Sequence, residues 1–189
     1  MHKTLILFGA ALLMLASTPT LDAASLAGAN LPDTATVGGK SLVLNGLGVR
    51  TEFMVKVYVA GLYLEQKSTD PDAIIKTDAP KRIVMHFLHD ASKKQLTDAF
   101  SESFHDNSPQ AGATSKTEID KFLGALQPLK VGDEMVFTYL PATGTTVAIN
   151  GTDKVTIPGQ AFSQVLLSVW FGPKPPTASL KKGLLGEKS

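Results

Sequence analysis

The chain has 189 residues, a formal net charge of +1 and no cysteine, and 43% of its residues are hydrophobic. A charge so balanced supplies no basic field for nucleic acid, and the lack of thiols excludes disulfides, thiol catalysis and cysteine metal sites. The fold must therefore be held by an apolar core, for which the length suffices.

The N-terminus has the layout of a secretory signal. His2-Lys3 is a short basic start, Leu5 to Leu15 is an apolar run, and small residues follow from Ala16 to Ala24. Leu21-Asp22-Ala23 suits signal-peptidase cleavage, which makes residues 1–23 a signal peptide and 24–189 one domain. The run falls short of the roughly 20 apolar residues that span a bilayer, and no later segment reaches that length. The expectation is a periplasmic or secreted protein with no membrane span in its mature chain. An uncleaved anchor is the alternative.

After a polar lead-in, Thr34 to Val37 and Ser41 to Leu44 read as strands of a hairpin turned by Gly38-Gly39. Asn45-Gly46 reads as a further turn into residues 46–65, a stretch rich in β-branched and aromatic side chains. As one strand, alternation would place Phe53, Val55, Val57 and Val59 on an apolar face and Arg50, Glu52, Lys56 and Tyr58 on the other. A strand face that carries an arginine, a lysine and a phenol could build a binding site.

Asp70-Pro71 opens a short helix, Pro80 ends it, and Arg82 to Leu88 is a strand. Two helices follow, each with capping-box spacing: Ser92 to Gln95 ahead of Leu96, Phe100 and Phe104, and Ser115 to Glu118 ahead of Ile119, Phe122 and Leu126. Glu134 to Leu140, Thr145 to Ile149 and Lys154 to Ile157 read as strands, the last two joined by the hairpin signal Asn150-Gly151. A helix after Pro158 carries the apolar stripe Phe162, Val165, Leu166, Val169 and Trp170, and Leu180 to Leu185 is a last amphipathic turn. This order favours α+β: helices with one apolar stripe covering one face of an antiparallel or mixed sheet, and the other face less covered.

Asn45-Gly-Leu-Gly-Val-Arg50 with Val55-Lys-Val-Tyr-Val-Ala-Gly-Leu-Tyr-Leu64 resembles the N-terminal signature of chalcone-isomerase-like proteins. The strings Pro80 to Leu88, Gly132 to Tyr139, Pro158 to Gly172 and Leu180-Lys-Lys-Gly-Leu-Leu-Gly186 resemble the same family, in its order and spacing. The likeness covers about residues 35 to 186 and is strongest to a bacterial, exported branch. It implies an open-faced β-sandwich, a large antiparallel sheet with helices layered on one face and a ligand cleft between them. Family enzymes close a chalcone ring to a flavanone; other members bind fatty acids without catalysis.

The resemblance places the family's anion-holding arginine on Arg50, whose planar, permanently charged fork matches a carboxylate or phenolate. A surface pair with Glu52 is the alternative role. Tyr58 stands where the enzymes carry a ketone-polarising threonine, which counts against flavanone chemistry and suits a hydrogen-bonding role in binding. A half-buried tyrosine with a satisfied hydroxyl is its alternative. Lys56 shares the face by parity, with a solvent-facing lysine as its alternative. These three residues are the candidate ligand-binding set, and no catalytic residue is assigned.

His86-Phe-Leu-His89-Asp90 has metal-ligand residue types, but strand alternation sends the two histidines to opposite faces, so no metal or other cofactor is expected. The reading is non-catalytic binding of a small amphipathic anion, a fatty acid or a phenolic. The alternatives are an intramolecular lyase or isomerase of the chalcone-isomerase type and an interaction module of the envelope.

Overall fold

The computed structural model describes residues 23–187. The expected signal lies, apart from Ala23, outside the described residues. A two-stranded hairpin, β1 (Ala23–Leu26) and β2 (Ala29–Pro32), precedes a seven-stranded sheet. The sheet consists of β3 (Thr34–Val37), β4 (Lys40–Glu52), β5 (Val55–Leu64), β6 (Lys81–Phe87), β7 (Glu134–Leu140), β8 (Gly144–Ile149) and β9 (Thr152–Ile157). Each strand pairs antiparallel with the next in sequence, so the sheet is an uninterrupted meander.

The helices fall in the connections. Helix α1 (Pro71–Lys76) links β5 to β6, and Asp70 caps it by accepting from the backbone N–H groups of Asp72 and Ala73. Three helices lie between β6 and β7: α2 (Lys93–Asn107), the single turn α3 (Ala111–Thr114) and α4 (Lys116–Ala125). Ser92 and Gln95 complete their capping box, whereas Ser115, buried where α3 meets α4, makes no side-chain cap. After β9 come α5 (Gln160–Phe171) and α6 (Ala178–Leu184).

The helices cover one sheet face. Ala60, Leu62, Ile83, Met85, Phe137 and Val147 join Phe100, Phe122, Leu166 and Trp170 in the main core. A smaller core on the opposite face combines Leu42, Leu44, Tyr63 and Val84 with Leu31 of the β1–β2 hairpin, and the Tyr63 hydroxyl donates to the Pro32 carbonyl at 2.8 Å. The architecture is the expected α+β, open-faced sandwich. The lead-in before residue 33 is a correction: it forms a hairpin that covers part of the second face.

A larger correction concerns residues 46–65. They form two strands, not one, with Phe53 and Met54 as the turn between β4 and β5. Both turn residues lie in the left-handed region, with φ of 45° and 68°. That conformation is ordinarily taken by Asn or Gly in a two-residue hairpin, so bulky side chains there give no turn signal. Phe53 and Val55 are accordingly exposed rather than core-facing.

Asn45-Gly46 is also not a turn. It sits inside β4 at a register shift between Leu44 and Gly46, a β-bulge. Asn45 there accepts from the Ser68 backbone N–H at 2.7 Å and donates to the carbonyls of Ser68 and Leu184. One buried amide thus ties β4 to the loop after β5 and to the end of α6.

The glycines on either side of Leu47 explain how α6 is seated. A Cβ at Gly46 would stand 2.1 Å from the Gly183 carbonyl oxygen, and one at Gly48 would stand 2.5 Å from that of Leu180. A Cβ at Gly183 would in turn meet the Leu47 carbonyl oxygen at 2.3 Å. The Gly-Leu-Gly of β4 and the glycine of α6 therefore let two backbones meet where no side chain fits.

Candidate functional site

A cleft of about 590 Å³ opens between the β4–β5–β6 part of the sheet and helices α2 and α5. Its lining includes Val57, Met85, Phe87, Leu96, Phe100 and Trp170, which supply apolar walls, and it includes Arg50 and Tyr58. The size is within the roughly 300–1,000 Å³ of ordinary small-molecule sites.

Arg50 and Tyr58 are direct cross-strand partners in the β4–β5 ladder, so they lie side by side on one sheet face. The ring of Tyr58 is buried and tilts against Phe87, with centroids 5.8 Å apart. Its hydroxyl accepts the Trp170 indole N–H at 3.2 Å. That bond uses an oxygen lone pair and leaves the phenolic proton free to be donated. Burial pushes the phenol up to about 12, against the smaller opposing pulls of the Trp170 bond and the Arg50 charge. Tyr58 is therefore a neutral donor throughout the physiological range.

Arg50 is 22% exposed at its side chain, and its Nη2 donates to Glu52 Oε2 at 3.0 Å. The arginine thus lines the cleft and also makes the Glu52 pair. A guanidinium has five N–H donors, so this pair leaves donors for a second acceptor. Guanidinium and phenol together can hold a carboxylate or phenolate through charge-assisted hydrogen bonds.

Lys56 is not brought to this pair. The ladder shifts register between Arg50 and Thr51, so Val57 is the extra residue and Lys56 pairs with Thr51. Partners share a face and neighbours alternate, so the bulge turns Lys56 away from the Arg50 face. Lys56 is exposed and absent from the cleft lining, while Val57 lines it.

The cleft rim carries Glu52, Asp90, Asp98, Glu102 and Asp106, a set that by itself would repel an anion. Most of that charge is compensated. Glu52 pairs with Arg50, Asp90 with Lys130 at 2.8 Å, Asp98 with Lys94 at 2.6 Å and Asp106 with Lys174 at 3.3 Å. The Lys130 ammonium and the Val131 backbone N–H hold the Asp90 carboxyl below its ordinary value.

Sequence reasoning assigned Trp170 to the helix stripe and missed its bond to Tyr58. It also missed the polar positions of α2 that form the rim. The signal for them was the alternation of Leu96 and Phe100 with Gln95, Asp98 and Glu102 along one helix. His86 faces Glu134 across β6 and β7 at 3.4 Å, while His89 lies on the cleft rim. A second cavity of about 640 Å³ lies between α1, α3 and α5 and contains neither Arg50 nor Tyr58. Its one cation, Lys181, already donates to the Phe171 and Gly172 carbonyls at the end of α5. The first cleft is the better candidate for an anion.

The family model described as "Chalcone isomerase-like" matches residues 23–186, the whole described fold but its last residue. The chain belongs to the chalcone isomerase-like family. Among solved structures, this chalcone isomerase-like protein is similar to a fatty-acid binding protein of Arabidopsis thaliana, with a TM-score of 0.69 and 12% identity. The alignment covers 87% of this chain and 96% of that one, and at such identity the likeness concerns the fold. No curated protein matches the chain.

Proposed function

We propose that this chalcone isomerase-like protein is an exported binding protein that holds a small amphipathic anion, a fatty acid or a phenolic acid, without transforming it. The observation that carries this reading is the pairing of Arg50 with a neutral, buried Tyr58 on the wall of a cleft that Val57, Met85, Phe87, Phe100 and Trp170 also line. The charged end of the ligand would meet the guanidinium and the phenolic O–H; its tail would lie along Met85, Phe87, Phe100 and Trp170. Binding is favoured over ring closure because Tyr58 stands where the resembling enzymes carry a threonine. The fatty-acid binding protein of the same fold supports the ligand class. The basic start and apolar run within residues 2–15 support export.

Native mass spectrometry and lipid extraction of protein purified from its host test the reading, together with titration by laurate and by a hydroxycinnamic acid. A co-purifying carboxylate or saturable binding supports it. Absence of both sinks it.

A further inference from the structure

Four large apolar side chains stand exposed among the described residues: Phe53 at 94%, Met54 at 95%, Val55 at 44% and Val131 at 64%. They are not scattered. Phe53 and Met54 form the β4–β5 turn, Val55 is the first residue of β5, and Val131 lies in the loop that enters β7. Tyr58 pairs with Phe87, whose carbonyl accepts the Gly132 N–H at 2.9 Å, so both groups lie at the same end of the sheet. The cleft reaches that end, where the lining residues Glu52 and Asp90 have side chains 48% and 53% exposed.

The turn itself is unusual. Phe53 and Met54 both take positive φ, where a side chain is strained and Asn-Gly is the favoured pair. A turn that needed only to reverse the chain would not carry two large apolar residues in a strained conformation and in water. Such a local cost points to a function for these side chains.

We infer that the Phe53–Met54 hairpin tip inserts into the interfacial region of a lipid bilayer and sets the mouth of the cleft against the membrane. This deepens the ligand reading above and rests on it: a bilayer is the reservoir from which an amphipathic anion would enter the cleft. The tip fits a bilayer better than a protein. Phe53, Met54 and Val55 are each no larger than the aromatic side chains that bury about 150–250 Å², so even together they fall short of the roughly 800 Å² each partner contributes to a stable protein interface. A few apolar side chains entering a fluid surface need no complementary pocket.

The test uses the protein as isolated from its host and two variants. With Phe53→Trp, vesicles of phosphatidylcholine with a minor share of phosphatidylglycerol should shift the new indole's emission to the blue. Bromine-bearing lipid should quench it, while the buried Trp170 remains unquenched. Phe53→Asn combined with Met54→Gly installs the pair that the backbone prefers, so this variant should fold at least as stably. Its vesicle affinity should fall roughly tenfold or more, the factor that burial of one large apolar side chain supplies. Its affinity for laurate in vesicle-free solution should be unchanged. An unshifted, unquenched Phe53→Trp protein overturns the inference, as does undiminished vesicle binding by the double variant. A concentration-dependent dimer that the double variant abolishes, with no vesicle binding, overturns it in favour of self-association. Vesicle binding through the tip with no laurate uptake in solution upholds docking and removes the ligand reading.

Discussion

The indole N–H of Trp170 donates to the Tyr58 hydroxyl at 3.2 Å, joining α5 to β5 inside the core that backs the cleft. The bond couples stability to the site. It satisfies a buried donor that would otherwise have no acceptor, and it aims the phenol so that its proton remains available.

Tyr58→Phe keeps the ring beside Phe87 and removes only the oxygen. The Trp170 N–H is then left buried without a partner, which costs about 1–3 kcal/mol. The expected result is a lower urea midpoint with an unchanged m-value, together with weaker laurate binding. A variant as stable as wild type would show that the indole finds another acceptor and that the bond matters little.

Arg50→Ala separates binding from folding. The Glu52 pair is partly exposed, so its loss should change stability by less than about 1 kcal/mol. Loss of a charge-assisted contact to the ligand should weaken laurate binding by roughly tenfold or more. Arg50→Lys should restore only part of the affinity, because an ammonium lacks the planar fork. Calorimetric titration of the three proteins decides the matter; equal affinity in all of them removes Arg50 from the site.

Much of the fold was legible because its signals are local. Asp70-Pro71, Ser92 with Gln95, and Asn150-Gly151 each produced the element their chemistry predicts. The errors arose where strand pairing or tertiary contact overrides local preference. Phe53-Met54 makes a turn with no turn residue, and Asn45-Gly46 makes no turn although it looks like one, because α6 and Ser68 engage it within β4. The geometry of the candidate site was half legible. Strand parity put Arg50, Tyr58 and Lys56 on one face, and the hairpin keeps the first two together by pairing them. The bulge that displaces Lys56 depends on register, which a single strand's pattern does not contain.

Gly46→Ala and Gly124→Ala should move stability in opposite directions. At Gly46 the new Cβ meets backbone carbonyl oxygen of α6, which cannot swing aside as a flexible side chain would. A loss of about 1–3 kcal/mol or more is expected, as for overpacked cores, with faster proteolysis after residue 177 if α6 lifts off. Gly124 lies in α4 with nothing near its Cβ position. Alanine there should stabilise by roughly 0.5–1 kcal/mol. Chemical denaturation of both variants checks the pair; an unaffected Gly46→Ala protein would mean that α6 shifts without cost.

The alkaline limb of stability should be set by a lysine and the tyrosines. Burial outweighs the nearby Asp78 carboxylate and lowers Lys81 from 10.5 to about 8. Between those values the unfolded chain holds a proton that the native state has released, so stability rises with pH across that window. The chain has three tyrosines, Tyr58, Tyr63 and Tyr139, and burial foremost raises each from 10.0 to about 12. Their contribution is complete below pH 10, where both states keep the phenolic proton. Above it the unfolded chain ionises first, so stability falls as pH climbs toward the native values. The two signs together place a maximum near pH 10, and Lys81→Met should flatten the rise that precedes it. Urea unfolding across this range, followed alongside tyrosinate absorbance, provides the check. Absorbance should appear only as the protein unfolds; tyrosinate formed near pH 10 in a protein still folded would contradict the assignment.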